Sequence, residues 1–541
     1  MHGVHSKSTA RRLVGLLGAA IAAVSLTTLW APPPARANTG LLSFMMDDDL
    51  LVFSTYGTRE FIMGYMHNAG VDGVRVTVPW KFVSGEEGGR PVRRPARLTG
   101  KRAEDPRSYR SDIWDRFDDI VRLARTHGMV VLFNITGPGP VWAHPRAPYS
   151  NRFDQASWRP SPGEFRHFVK AVGRRYSGTW RDENQDRGLL PKVHLWSIWN
   201  EVNQPASLSP QMGYEPRLRR EIPIAPILYR DLYYAASAAL AETGHADSAL
   251  MMGETAPLGA IRDTPRVHLW PKQFIRELFC LRPNLRPYTG LEAKVRRCDV
   301  LRRNGPFRVT AWAHHPYTQR NPPTQRDVFR DSINMANIGE LPVLLDQIAA
   351  RTKLIPRGLP VALTEAGWET LPPDPVRGVS LANQAEYLNR AQRMAYDQPR
   401  VFMDTQFILR DVVPRAQYRG QRSRLAQYWA TWQSGLLFAD GSPKPALAAF
   451  LVPFDLRSSG GGSLRFWGQV RFVGPNVPQD VYLQFRPAGS SDWQLAAGPI
   501  PTQGAQNFWE RSVPDPGPGV WRVALLFHGH PALSREISVT G

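Results

Sequence analysis

From about 41 to 454, short apolar runs alternate with longer segments whose apolar positions recur every three or four residues. The first pattern suits strands buried on both faces and the second suits amphipathic helices. Val71-Asp-Gly-Val-Arg-Val-Thr-Val-Pro79 predicts a strand, as does the β-branched run over 129–135. Between them, 111–127 sets Ile113, Phe117, Ile120, Val121 and Ala124 on one helical face, with Gly128 as the stop. Ser161-Pro162-Gly163-Glu164 combines a capping box with proline at the first helical position, opening a helix through Tyr176. Further strands are expected over 193–199, 249–253, 309–314, 361–364 and 402–409, with helices over 226–243, 271–281, 338–353 and 380–396. A strand near 41–46 and a helix over 58–69 complete eight repeats.

Apolar strands alternating with helices imply a parallel sheet covered on both faces. Eight such units predict an α/β fold, a (β/α)8 barrel over 38–455. A doubly wound open sheet is the alternative, but no glycine-rich phosphate loop follows any strand. The texture then changes. A Gly/Ser linker over 456–463 is expected to act as a flexible joint. Short alternating strands separated by Pro/Gly turns then predict a β-sandwich accessory domain over 464–541. Its Trp467, Trp493, Trp509 and Trp521 read as core or as a sugar platform, and the structural reading is preferred.

The amino terminus reads as a targeting segment. Lys7, Arg11 and Arg12 precede a run over 13–29 that lacks charge, and Ala35-Arg36-Ala37 supplies a small-x-small cleavage site. A signal peptide over 1–37 is expected, giving a secreted or cell-wall-associated protein with no stable membrane insertion after cleavage. Pro32, Pro33 and Pro34 favour cleavage over an uncleaved anchor, because they break a helix just before the site.

The formal charge of +20 raises the question of anionic partners. Nucleic acid is disfavoured, because the arginines are spread along the chain and form no basic-aromatic module. A solvated arginine-rich surface accounts for the charge, and an anionic cell-wall glycan is the second reading. Cys280 and Cys298, the only cysteines, allow one disulfide or two thiols and exclude a cysteine-based zinc site. No metal or cofactor is expected.

In such a barrel the chemistry sits where strands end and βα loops begin. The fourth strand ends Trp199-Asn200-Glu201, and the seventh ends Thr364-Glu365-Ala-Gly-Trp368. Either acid alone is weak evidence, but two strand-end acids flanked by tryptophan are a stronger joint signal. Desolvation of Glu201 by its tryptophan neighbours is expected to favour the protonated form that a general acid needs.

At these residues the chain resembles clan A of the glycoside hydrolases, the barrel enzymes of families 5, 39 and their relatives. The resemblance implies that Glu201 is the acid/base and Glu365 the nucleophile of a retaining reaction on a polysaccharide or oligosaccharide. It also implies that Arg75 and Tyr317 of His315-Pro316-Tyr317 keep Glu365 ionised, that Asn200 binds the sugar 2-hydroxyl, and that Trp432 stacks on the sugar. Only one of His314 and His315 can enter the mouth. Trp80, Trp142 and Trp368 are candidate sugar contacts, with packing as the alternative. Asp47, Asp48 and Asp49 touch substrate or cap a loop. Strand three lacks the histidine usual in family 5, and Gly137-Pro-Gly-Pro-Val-Trp142 is similar to family 39-like enzymes, so neither family is assigned. A transglycosylase and a non-catalytic glycan binder are the competing readings.

Overall fold

The computed structural model describes residues 39–86, 93–148, 152–260 and 267–540. The signal peptide expected over 1–37 lies outside the described residues. Eight parallel strands close into a barrel, neighbours following chain order. They are β1 (Leu42–Met46), β2 (Gly73–Pro79), β3 (Val130–Thr136), β4 (Leu195–Ile198), β5 (Ala249–Thr255), β6 (Ala311–His314), β7 (Val361–Ala366) and β8 (Val401–Phe407). Closure runs through β1 and β8, from Leu42 opposite Met403 to Met46 opposite Phe407. The helical layer includes α1 (Tyr56–Asn68), α2 (Ser111–Thr126), α3 (Pro162–Arg175), α4 (Ala225–Leu240), α5 (Pro271–Leu278), α6 (Glu340–Thr352) and α7 (Leu381–Tyr396).

Local chemistry sets these boundaries. Ser161 Oγ accepts the Glu164 N–H at 3.3 Å and starts α3; Ser380 Oγ does the same for α7 through Asn383 at 3.1 Å. Inside the barrel, Phe44, Leu132, Leu195, Met251 and Met403 pack with Ala249, Ala311, Ala313 and Ala362. Large residues thus meet small ones, filling the barrel as a core rather than a pore. Gly73 belongs to this fit, because a Cβ there would lie 2.5 Å from the Phe44 ring. After α5, an excursion is closed by a Cys280–Cys298 disulfide.

The carboxyl-terminal module has two antiparallel sheets. One joins β9 (Phe454–Gly460), β10 (Ser463–Gln469) and β13 (Phe508–Pro514); the other joins β11 (Asp480–Pro487), β12 (Gln494–Pro501), β14 (Gly519–Phe527), β15 (His530–Leu533) and β16 (Ile537–Val539). The expected joint over 456–463 is corrected here. β9 and β10 form a hairpin, with Leu456 opposite Phe466, and Gly460, Gly461 and Gly462 make its turn at φ 78, 58 and 68°. Glycine is used for left-handed backbone rather than for mobility.

The module covers the amino end of the barrel. Arg471 bonds Ser43 at the start of β1, and Gln506 Nε2 donates to Asp72 just before β2 at 3.0 Å. Asn389 of α7 accepts from the Phe454 amide at 3.2 Å and from Arg535 at 3.0 Å. Tyr396 packs on Phe508 with ring centroids 4.7 Å apart. Trp467, Trp509 and Trp521 are buried, as the structural reading expects. Among the described residues, no helix is long and apolar enough to cross a membrane.

Candidate active site

The carboxyl ends of the strands surround a cavity of about 550 Å³ lined by Asn200, Glu201, Tyr317, Glu365, Phe407 and Trp432, among others. β4 delivers its residues through an unusual turn: Trp199 and Glu201, on either side of Asn200, have φ of 69° and 42°. Left-handed backbone at two non-glycine residues costs about 1–3 kcal/mol each, so packing must hold it. The Trp199 ring does so, lying edge-on to Phe165 at 5.1 Å and donating its indole N–H to Ser207 at 3.1 Å. A Cβ at residue 137 would lie 2.2 Å from that ring, which is why glycine stands there.

Glu365 lies deep, with 9% of its side chain exposed. Its Oε1 is 3.0 Å from Arg75, and its Oε2 accepts from Tyr317 at 3.1 Å. Glu201 reaches in from the other side with 31% exposed. Oxygens of the two carboxylates and a His315 ring nitrogen all fall within 4.8 Å of one another. The order of burial reverses the sequence expectation. Trp196 and Trp199 turn into the core instead of shielding Glu201, so the more desolvated acid is Glu365. Burial raises the Glu365 carboxyl above its ordinary value; His315 and Arg75 pull it down, while Glu201 and Glu254 push it up.

Beneath both acids lies a residue that the sequence reading passed over. Glu254, at the end of β5, is fully buried and has φ 49°. Its carboxylate accepts from Thr364 at 2.6 Å, from His315 Nε2 at 2.8 Å and from Arg75 at 3.3 Å. Burial works against its charge, but Arg75 and His315 outweigh that and hold it down at about 2. His315 answers it. Burial opposes its proton, yet Glu365, Glu201 and Glu254 raise the imidazole to about 10, so both ring nitrogens donate. Nδ1 faces Glu201 at 3.3 Å and Glu365 at 3.6 Å.

Arg75 also donates to Asn200 Oδ1 at 2.8 Å. Because a guanidinium only donates, this fixes the amide oxygen inward and frees the NH2 as a donor to ligand. Tyr317 stays protonated: burial, then Glu365 and Glu201, push its hydroxyl well above its ordinary value. His314 is the core histidine of the pair. It bonds Thr255 at 2.8 Å and Ile333 at 3.0 Å, and burial lowers it to about 3.

The tryptophans divide. Trp432 lines the cavity, 49% exposed and edge-on to Phe407 at 5.5 Å. Trp80 is core, stacked on Phe168 at 6.0 Å, and Trp368 is buried, its indole donating to Thr318 at 3.1 Å. Trp142 lies under Arg94 at 4.9 Å and does not line the cavity. These three are corrected to packing residues, because short helices and loops after the strands turn their rings sideways between elements. Asp47 caps a turn and ties β1 to β8, accepting from Leu50, Leu409 and Arg410 at 3.1, 3.0 and 3.2 Å. Asp48 accepts the Thr77 amide at 3.1 Å.

Two groups of acids and histidines among the described residues are close enough to hold a metal: Glu201, His315 and Glu365, and Asp115, Asp118 and Asp182. In the first, Arg75 and protonated His315 already supply the positive charge. A cleft of about 580 Å³ beside the disulfide excursion is another concavity, but its Arg276 and Arg296 are paired with Asp331 and Glu277.

Fold and site together define a (β/α)8-barrel protein with two facing carboxylates at the carboxyl end of the strands. No family model matches the chain, and no curated protein does. Solved structures similar to it include a family 39 glycoside hydrolase from Bacteroides cellulosilyticus WH2, at 13% identity and TM-score 0.42, covering 88% of this chain and 80% of that one. Another is a GH5_18 protein from Streptomyces cattleya in complex with GlcNAc, at 16% identity and TM-score 0.43, covering 77% and 79%. A third is a GH30 endoxylanase from Clostridium papyrosolvens C71, at 10% identity and TM-score 0.41, covering 90% and 96%.

Proposed function

We propose that this protein is a retaining glycoside hydrolase acting on a polysaccharide or oligosaccharide. The observation that carries the reading is that Glu201 and Glu365 present oxygens within 4.8 Å of each other across one cavity. Retention calls for carboxyl groups about 5–5.5 Å apart, whereas inversion needs roughly 6.5–9.5 Å to admit a water between acid and sugar.

In the first step, Glu365 attacks the anomeric carbon while Glu201 gives its proton to the departing glycosidic oxygen. In the second, Glu201 takes a proton from water, which displaces Glu365 and regenerates both acids. The greater exposure of Glu201 suits a group that must meet both leaving group and water. Arg75 and Tyr317 orient Glu365. The Asn200 NH2, freed by Arg75, is placed to bind a hydroxyl next to the reacting carbon. Trp432 offers an aromatic face to the sugar. The Cys280–Cys298 bridge supports action outside the cytoplasm, since such bonds persist in oxidising compartments.

The test is Glu365→Ala and Glu201→Ala on an activated aryl glycoside. Each should lower kcat by about 10⁴-fold or more with the fold intact by circular dichroism. Azide should restore turnover of the Glu201 variant, giving a glycosyl azide of retained configuration. Near-normal activity in either variant would refute the assignment, and an inverted first product seen by NMR would refute retention. Adding an acceptor sugar separates hydrolysis from transglycosylation.

A further inference from the structure

Beyond the catalytic groups, the cavity wall carries two arginines, one of them without an acidic partner. Arg320, two residues past the residue after Tyr317, lines the cavity and is exposed. Among the described residues it has no carboxylate within ion-pair distance; its guanidinium donates only to the Val376 carbonyl, at 3.4 Å. That contact places it beside Arg377, which also lines the cavity and sits 5.9 Å from the Trp432 ring. Arg377 is held by two acids, Glu369 at 3.3 Å and the buried Asp374 at 3.7 Å, so Arg320 is the unpaired cation of the two. Two guanidinium groups therefore share the cavity with the aromatic ring on which a sugar would stack.

The excursion that carries Trp432 repeats the pattern. Trp432 ends an excursion that leaves the barrel after β8 and is pinned at its base by Val412 N–H to Trp432 O, 2.8 Å, and Arg415 N–H to Tyr428 O, 2.9 Å. Between these pins Arg415, Arg419, Arg422 and Arg424 are all exposed, and no Asp or Glu occurs from Val412 to Ala439. Elsewhere on the surface arginines are repeatedly matched by acids, as in Arg110–Asp112, Arg166–Glu242 and Arg297–Asp231. Arg320 and the four arginines of the excursion that carries Trp432 thus have no acid within ion-pair distance among the described residues.

We propose that the substrate is an anionic glycan, with an acidic sugar seated between Trp432 and the Arg320–Arg377 pair and its chain led in across the Arg415–Arg424 excursion. The proposal rests on the glycosidase reading for turnover, but not for binding. A planar guanidinium matches a uronic-acid carboxylate or a sulfate ester through paired N–H donors. A neutral sugar would leave Arg320 without an anionic partner.

Binding and turnover are tested separately on the full-length protein. In affinity electrophoresis, wild-type protein should be retarded by glucuronan or polygalacturonate (carboxylated) or by a sulfated galactan. It should not be retarded by neutral glucan, xylan or mannan. Arg320→Gln should weaken the retardation at least fivefold, whereas Arg125→Gln, exposed on α2 at the opposite end of the barrel, should not. That control separates a built site from the general pull of a basic protein. Equal retardation by neutral and acidic gels, none by any gel, or equal effects of the two variants would overturn the proposal. In parallel, 4-methylumbelliferyl β-glucuronide and β-galacturonide, β-glucoside and β-galactoside, and the 6-sulfated forms of the neutral pair are compared. The acidic-to-neutral ratio of kcat/KM should exceed ten and collapse at least tenfold in Arg320→Gln; the carboxylated and sulfated arms show which anion is read. Arg320-dependent binding of acidic glycan without turnover would refute the hydrolase and keep this site. Turnover of neutral glycosides with no acidic preference would do the reverse.

Discussion

Each end of the barrel buries an arginine among acids, and the two are built differently. At the carboxyl end, Arg75 has Glu365 at 3.0 Å, Glu254 at 3.3 Å and the Asn200 oxygen at 2.8 Å. Burial opposes its charge, but Glu254, Glu365 and Asp48 overcome that and raise it above its ordinary value. At the amino end, Arg471 faces Asp404 and Asp72, yet neither is within ion-pair distance. There burial wins: Arg471 falls to about 10, and Asp404 rises to about 6. The first cluster holds its charges at close range in a low-dielectric cavity, where they can act on a reacting group. The second is a seam between two domains, whose polar groups are held by hydrogen bonds, Arg471 to Ser43 and Asp72 from Gln506 and the Ser43 amide.

The sharpest way to break this comparison is to delete each cation. Arg75→Met should lower kcat/KM by about 10²–10³-fold and destabilise the protein by about 3–5 kcal/mol, because it strands buried carboxylates. Arg471→Met should leave kcat/KM unchanged and cost less than half as much stability in urea unfolding, since Asp404 and Asp72 can hold protons instead. Equal losses would show that the two ends are alike. A second probe is Glu254→Gln. It keeps the shape but removes the charge under His315, so kcat/KM should fall about 10²-fold and its pH profile should shift; a fall confined to stability would reduce Glu254 to packing.

The tryptophans sharpen the contrast further. Trp432→Ala should raise KM about tenfold while changing stability by less than about 1 kcal/mol, given its exposure. Trp521→Ala, in the buried core of the module, should do the opposite, costing about 3–5 kcal/mol and sparing KM.

The smallest effect expected is in pH dependence. Asp404 has a folded pKa of about 6, above its ordinary value of 3.8, so the folded state binds its proton more tightly. Stability from this group is gained as pH falls through about 6, and Asp404→Asn should flatten the slope measured between pH 7 and 5. The mouth adds terms at other pH values. Glu254 is depressed to about 2, so its contribution is present above its ordinary value of 4.5 and lost as pH falls through about 2. His315 is raised to about 10, so its contribution is present below its ordinary value of 6.5 and lost as pH rises through about 10.

Much of this was legible in the chain. The eight strand–helix repeats were written in apolar spacing, and the strand over 249–253 was found but ended too early. It extends to Thr255 and carries Glu254, whose left-handed backbone marks no recognisable turn residue. An Arg-bearing strand two and a His-bearing strand six hinted that a further buried acid was needed to balance them. Trp80, Trp142 and Trp368 were misjudged as sugar contacts because position after a strand does not say which way a ring turns. The glycine run was misjudged because a hairpin turn and a loose joint share a composition.

What the sequence alone determined is whatever depends on backbone periodicity and short-range capping: the order of strands, the helix starts, the change from barrel to sheet module, and which acids stand at strand ends. What only the tertiary structure decided is the convergence of residues far apart in the chain, such as Arg75 and Glu254, 179 positions apart. Their charges are set by desolvation and by neighbours from other strands, and neither exists until the barrel closes.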